Sequence, residues 1–599
     1  VHFGTDKDNL ETFEGTAGDV DQSLTGDKAY EYNHVTVTGL KPSTTYYYTV
    51  EKNGEQTEVS EYKTQGTDSV KILYVGDPQI GASKGQTQNG AELTNESGAA
   101  NKAAENDGFS WNRTLNTALE QNPDINFVIS AGDQVNKTGE AKEEEYASYL
   151  SADALKGLAV ATTIGNHDSL NEDYMYHFNN PNNTENGKTQ AGGDYYYSYG
   201  EGLFIVLNTN NYNVAEHQKT IEEAVKAYPD AKWRIVTIHQ DIYGSGLDHS
   251  DTDGMILRTQ LTPVFDANDI DVVLQGHDHT YSRSKMLYGD GQTHGKYEFS
   301  LNADGTDYDW DHATNVDTQE QIALAPEEGD TDAQAALDAF HEDNNCYTIE
   351  EVDGDTVTDP QGILYMTANS SSGSKYYDLV PRMQSYIANR WQEDVPTYSV
   401  IDVTDNTFTI NTYRTDNDQK IDETFTIKKG VTEDIKSTSE GKVKNQVYTG
   451  KQIQPALKVT LNGKTLKAGK DYTVTYANNK NTGLAKATIN GIGKYTGTQT
   501  VTFKIVPEKA VLKTVKAGKS GTATVTIGKA GGKVSGYAIQ VSTDSSFKKV
   551  TTYRTAKTTY TLKNLSKGKT YYVRVKAFTK VSDKNVYGAA SKTIKVKAK

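Results

Sequence analysis

The pattern of apolar and polar positions changes character twice along the chain. Over residues 1–66 the two alternate and are broken by turn residues, the period-2 signature of half-buried strands. His34-Val35-Thr36-Val37-Thr38-Gly39-Leu40-Lys41-Pro42 leads there into Thr45-Tyr46-Tyr47-Tyr48-Thr49-Val50. From about Val70 short continuous apolar runs take over. Val70–Val75, Asn126–Ser130, Leu158–Ile164, Leu203–Leu207, Arg234–Ile238 and Ile270–Leu274 read as buried strands. Trp111, Leu115, Ala118 and Leu119 share one helix face, and Ile221, Ala224, Val225 and Tyr228 share another. Strands alternating with helices predict an α/β domain over residues 67–429.

The stretch from about 288 to 362 interrupts that pattern. It is rich in Asp, Glu, Asn and Gly without sustained periodicity, and reads as a long acidic insertion. Within it, Asp304-Gly305-Thr306-Asp307-Tyr308-Asp309 lacks the ligand register and terminal Glu of a calcium loop, so a solvated loop is expected. This insertion and the loop from Gly81 to Asp107 are expected to wall a pocket.

After Lys429 the period-2 alternation returns, with hairpin turns such as Leu461-Asn462-Gly463-Lys464. Tyr560 to Leu565 leads into Thr570-Tyr571-Tyr572-Val573-Arg574-Val575, repeating the layout at 34–50: a Leu, four residues, then Thr-Tyr-Tyr. Leu closing one strand and Tyr opening the next fit the tyrosine corner of β-sandwiches. Both segments resemble fibronectin type III modules, and residues 430–507 resemble the immunoglobulin-like modules of Gram-positive surface proteins. The first module opens at Val1-His2-Phe3-Gly4-Thr5, which reads as a strand from the middle of such a module, as though its first strands were missing.

Charge divides the chain at the same place. The whole carries 61 Lys+Arg against 80 Asp+Glu. Residues 431–599 hold 33 against 7, a net of +26, which leaves 28 against 73, a net of −45, before them. Such halves belong to different domains. The basic tail suits an anionic cell-wall polymer or membrane surface as well as simple solvated strand faces. Tyr (39) far outnumbers Phe (14), as suits β-rich extracellular modules. The lone Cys346 excludes an internal disulfide and reads as an inert thiol. No run approaches the roughly 18 apolar residues of a membrane span. The start at Val1, without Met or an apolar leader, suggests a processed chain.

Five motifs carry candidate chemistry: Gly76-Asp77-Pro78-Gln79, Gly132-Asp133-Gln134-Val135-Asn136, Gly165-Asn166-His167-Asp168, Ile238-His239 and Gly276-His277-Asp278-His279. Each directly follows a predicted buried strand, and the carboxyl ends of strands are where α/β sheets gather ligand-binding groups. Asp77 or Asp133 alone fits a turn or a helix cap, whereas the two imidazoles of His277-Asp278-His279, two residues apart, can face one centre. Five together, mixing carboxylates with imidazoles, imply a shared site for first-row metal ions.

The ordered set resembles the calcineurin-like metallophosphoesterase superfamily. Within it, the N-terminal β-module and the run from Gly276 to Arg283 are most similar to purple acid phosphatases. That resemblance implies a four-layer αββα sandwich with all-β modules at either end. It implies two divalent or trivalent metal ions (Fe, Mn or Zn) that activate water for in-line attack on a small phosphate ester. Carried over, one ion takes Asp77, Asp133 and His279, and the other takes Asp133, Asn166, His239 and His277. His167 and His249 become outer-sphere catalytic groups, Asp168 and Asp278 orienting groups, and Arg283 and Tyr243 either substrate contacts or structural residues. Gln79 stands where the broader superfamily has a ligand His, and is an open ligand position. Asn136 stands where the purple enzymes have Tyr, which implies no tyrosinate colour.

The expectation is therefore an extracellular, secreted or wall-associated phosphomonoesterase with no nucleic-acid partner. A phosphodiesterase or nucleotidase of the same superfamily, or a surface-binding protein with a vestigial catalytic domain, are the alternatives.

Overall fold

A computed structural model describes the chain except residues 84–86, 89, 90, 93–98, 248, 251, 252, 301, 303–307, 431, 432, 438, 441, 442 and 582. It contains two compact units, Val1–Lys429 and Gly430–Lys599.

The first unit begins with a four-stranded sheet in the order Glu11–Thr12, His2–Gly4, Thr45–Thr49, Ser60–Lys63. Phe3 and Tyr46 stack at 5.0 Å in its core, and the Lys41 N–H donates to the Tyr46 hydroxyl at 2.7 Å. That bond, reaching back five residues, is the tyrosine corner read from the sequence.

Residues beyond it build two seven-stranded mixed sheets. The first runs Ala159–Thr162, Phe127–Ser130, Ser69–Val75, Thr397–Thr404, Thr407–Arg414, Phe425–Lys428, Thr356–Thr358. The second runs Tyr195–Tyr199, Gly202–Val206, Trp233–Thr237, Val272–Gln275, Leu364–Thr367, Tyr281–Ser284, Ile387–Trp391. Alternation along one strand shows how they stack. Val70, Ile72 and Tyr74 point into a core shared with Phe204, Ile235 and Leu274 of the other sheet. Leu73 and Val75 point the other way, against Trp111, Leu115 and Tyr149 of the helices Ala99–Gln121 and Glu143–Leu150. The far face of the second sheet is covered by Val214–Ala227 and Asp253–Ala267 through Ile221, Leu257 and Phe265. The layers are helix, sheet, sheet, helix. Strands covered on both faces carry no polar side, which is why they read as unbroken apolar runs. Each large side chain buried there contributes about 1.5–3 kcal/mol.

The insertion is not a structureless loop. It forms a three-stranded sheet (Tyr297–Glu298, His312–Asn315, Gln321–Ala323) and a helix, Thr331–Asp343, whose first turn is capped by Asp330 accepting from the Ala333 N–H at 3.0 Å. Tyr297, Phe299, Ile322, Leu337 and Phe340 pack against Met255 and Ile256 of the main domain. Leu337 and Phe340 are the only buried residues of that helix, too few to show a period. Residues 303–307 of the calcium-like stretch lie outside the described residues. So does much of Gly81–Asp107, although the helix already begins at Ala99. Cys346 is buried beside the Tyr243 hydroxyl, and burial pushes its thiol pKa up.

In the second unit, residues 446–506 include the sheet Gln446–Val447, Thr498–Val506, Gly483–Gly491, Tyr472–Ala477. Beyond it, Val511–Ala517, Ala523–Gly528 and Thr559–Leu562 pair in one sheet, and Gly536–Ser542, Thr551–Thr555, Thr570–Val581 and Lys584–Tyr587 in another. Val525, Ile539, Val575 and Leu562 fill the core between them. The Ser566 N–H donates to the Tyr571 hydroxyl at 2.9 Å, a second tyrosine corner.

Candidate metal centre

The motifs meet where the two sheets present the carboxyl ends of their parallel strands. Ser69–Val75 delivers Asp77, Phe127–Ser130 delivers Asp133, and Ala159–Thr162 delivers Asn166 and His167. From the second sheet, Trp233–Thr237 delivers His239 and Val272–Gln275 delivers His277 and His279.

Turning these side chains inward strains the backbone. Asp77, Gln79, Asp133, His277 and His279 have φ of 44°, 36°, 46°, 71° and 46°. This left-handed region costs an ordinary L-residue roughly 1–2 kcal/mol. Such outliers cluster where surrounding structure fixes a functional geometry. Two motif glycines are required by crowding. A Cβ on Gly132 would strike the His239 ring, and one on Gly165 would strike the Asp133 carboxylate.

Asp133, His239 and His277 place ligand atoms within 4.8 Å of one another, and Asp77, Asp133 and His279 do the same. All five residues are buried. Asp133 belongs to both groups. Asn166 Oδ1 and His277 Nδ1 each lie 3.0 Å from His239 Nε2. Backbone carbonyls aim the rings: His239 Nδ1–H donates to Ala131 at 2.9 Å and His279 Nδ1–H to Lys375 at 2.9 Å, which turns each Nε2 inward. Both Asp77 oxygens accept from the His277 backbone N–H at 3.0 Å.

Burial pushes the Asp77 carboxyl up to about 8, with Asp133 adding to the effect. Asp133 is equally buried, yet His239 and His167 hold it well below the usual carboxylate range. Carboxylates and imidazoles packed this tightly away from water form a concentrated acceptor set. Its chemistry fits first-row divalent or trivalent cations. Gln79 adds to that fit, because its Oε1 is buried without a hydrogen-bond partner while its Nε2 lies 2.9 Å from His167 Nε2.

Outside the ligand groups, His167 Nδ1 bonds the Asn136 carbonyl and its Nε2 stands 3.9 Å from Asp133 Oδ2. His249 stacks on the His277 ring at 3.8 Å. Asp168 organises two ligand loops, accepting from the Gly165 N–H at 3.0 Å and the Gln134 N–H at 3.3 Å. Asp278 does not hold a ligand ring. Its Oδ2 accepts from Ser245 N–H, Gly246 N–H and Ser250 Oγ–H at 3.0, 2.5 and 2.5 Å, and so secures the turn that carries His249.

Arg283 and Tyr243 are both engaged by partners within the protein. The Arg283 guanidinium pairs with Asp422 at 2.6 Å and lies over Phe425. Tyr243 is fully buried, with its hydroxyl 3.1 Å from Thr262 Oγ1 and Arg258 over its ring. Sequence reasoning missed Lys142, a buried ammonium that donates to the His167 carbonyl at 2.8 Å. It also missed the loop after Leu364–Thr367, which carries Lys375 and Tyr377 to the centre. Its Asn369-Ser370-Ser371-Ser372-Gly373-Ser374 run has a linker's composition, and its position after the apolar run at 363–366 was the available signal.

Residues 70–281 match the family model for calcineurin-like phosphoesterases, and residues 512–593 match that for fibronectin type III domains. The chain thus carries a calcineurin-like phosphoesterase domain, followed by a fibronectin type III domain. Two curated proteins, from two strains of Mycobacterium tuberculosis and described as uncharacterized, are 22% identical to it over 290 residues. The match covers 43% of this chain and 51% of theirs, so the chain spans about half the length of those relatives. Among solved structures, a purple acid phosphatase from yellow lupin (Lupinus luteus) seeds covers 72% of this chain and 69% of its own, at 13% identity and a TM-score of 0.47. An anchor protein of the Plasmodium inner membrane complex covers 60% of this chain and 89% of its own, at 12% identity and a TM-score of 0.31.

Proposed function

We propose that this chain is a secreted or wall-associated phosphomonoesterase that uses two metal ions (Fe, Mn or Zn) on small phosphate esters. The observation that carries the reading is the pair of buried ligand groups sharing Asp133. Asp77, His279 and Gln79 would complete one ion's shell, and Asn166, His239 and His277 the other's. Ions held there supply Lewis acidity and a water of lowered pKa.

The chain's own residues supply the rest. His167 and His249, one beside Asp133 and the other on His277, are placed to meet phosphoryl oxygen and, when protonated, the departing alkoxide. Asp168 and Asp278 keep the loops that carry them in register. The basic, immunoglobulin-like and fibronectin-like modules of the second unit hold the enzyme to an anionic wall polymer, a reading supported by their net charge of +26.

The test is hydrolysis of a panel of phosphomonoesters and phosphodiesters by the full chain, with and without a chelator, alongside metal analysis. Chelator-sensitive turnover favouring monoesters is expected. Faster diester cleavage would move the reading to a phosphodiesterase, and fully loaded protein without turnover would leave a surface-binding protein.

A further inference from the structure

The loop after the strand Leu364–Thr367 brings a cation to the metal centre that none of the roles above uses. A serine clamp fixes the loop in place. Ser370 Oγ–H donates to the Asp77 carbonyl at 3.0 Å, and the Ser371 N–H donates to the Gly76 carbonyl at 2.9 Å. Ser372 and Ser374 Oγ–H both donate to the Pro78 carbonyl, at 2.5 and 3.2 Å. The loop is therefore tied to the segment that delivers Asp77.

Its next residues reach the centre. The Lys375 carbonyl accepts from His279 Nδ1–H, and the Lys375 ammonium lies 4.4 Å from the Tyr377 ring centroid and bonds the Tyr377 hydroxyl. That ring stands edge-on to His249 at 5.1 Å and to His279 at 5.2 Å.

We infer that Lys375, positioned by Tyr377, binds the third non-bridging oxygen of a phosphomonoester dianion and makes the centre selective for terminal phosphomonoesters over diesters. The inference rests on the phosphoesterase reading and adds the residue that sets its preference for monoesters. A monoester dianion spreads two charges over three non-bridging oxygens, whereas a diester has two such oxygens and one charge. Where the monoester has its third charged oxygen, the diester has an esterified one, which offers an ammonium little. Lysine provides a compact charge with three rotatable donors, and charge-assisted bonds of this kind are the strong ones.

The experiment compares K375M, K375R and Y377F with the unaltered full chain, each loaded with metal. It reads kcat/KM on one monoester and one diester, the affinity for inorganic phosphate by calorimetry, and the metal content. K375M is expected to lose about 10²-fold on the monoester, the size of losing one oxyanion donor. Its diester rate should stay within a few-fold and its metal content unchanged, with phosphate binding weakened by about tenfold or more. K375R should restore most of the phosphate affinity, and Y377F should fall between. An unchanged monoester-to-diester ratio together with unchanged phosphate affinity in K375M overturns the inference. So does an equal loss on both esters accompanied by metal loss, which would make Lys375 a structural residue. If the unaltered chain cleaves neither ester, the phosphoesterase reading falls, and the phosphate titration alone still decides the role of Lys375.

Discussion

Asp133 reaches both ligand groups, so replacing it should act twice. Asp133→Ala is expected to lose both ions and all hydrolysis, and a variant retaining full metal by elemental analysis would refute the shared position. His167 and His249 lie outside the groups. Replacing either with Ala should leave metal content near normal while slowing alkyl esters by about 10²–10⁴-fold. Nitrophenyl esters, whose leaving group needs no proton, should suffer less. Wild-type rates on both esters in both variants, with normal metal content, would assign the acid elsewhere. Iron-loaded protein should show no tyrosinate band in the visible spectrum, because Asn136 contributes a carbonyl to His167 where the purple enzymes have Tyr. At this scale, what could be read from the sequence followed motif and strand end. Asp77, Asp133, Asn166, His239, His277 and His279 announced themselves because each directly follows an apolar run. Lys375 and Tyr377 did not, since one Lys among Ser and Tyr has no pattern until the fold carries its loop to the centre. Arg283 shows the reverse case. It adjoins a motif in sequence, but its strand turns it toward Asp422.

The six strands read as apolar runs and the two helices read by period are all present, because burial on both faces or on one face leaves that imprint. The insertion left none, its core being assembled from distant single residues. One connection between elements is open to a pH test. His217, on the helix Val214–Ala227, donates from Nδ1 to Asp194 at 2.9 Å and from Nε2 to the Asn211 carbonyl at 2.7 Å. Both partners accept, so the ring is an imidazolium. Burial opposes that charge, but Asp194 outweighs it and the pKa is raised. The pair's stabilisation is fully present below the unfolded value of about 6.5 and is lost as pH rises through the higher folded value. His217→Gln should destabilise the domain by about 3–5 kcal/mol near pH 6, because it leaves Asp194 buried and unpaired. The gap should narrow at alkaline pH in denaturant titrations. A gap that widened with pH would contradict the charged pair.

Across the whole molecule, the charge division at about residue 430 coincides with the boundary between the two compact units, so composition located a seam that no single motif marks. The five left-handed residues of the centre have a thermal consequence for one unit only. Their strain sums to several kcal/mol, a sizeable part of the 5–15 kcal/mol by which domains are stable. Cations gathered by those side chains would offset it by mass action. In calorimetry the unit up to Lys429 should therefore melt like a loaded spring released, its midpoint falling when a chelator is added. The lysine-rich unit, in which no metal-ligand group occurs among the described residues, should melt at one temperature either way. A chelator that shifted both transitions equally, or neither, would show that the tension is not what the ions restrain.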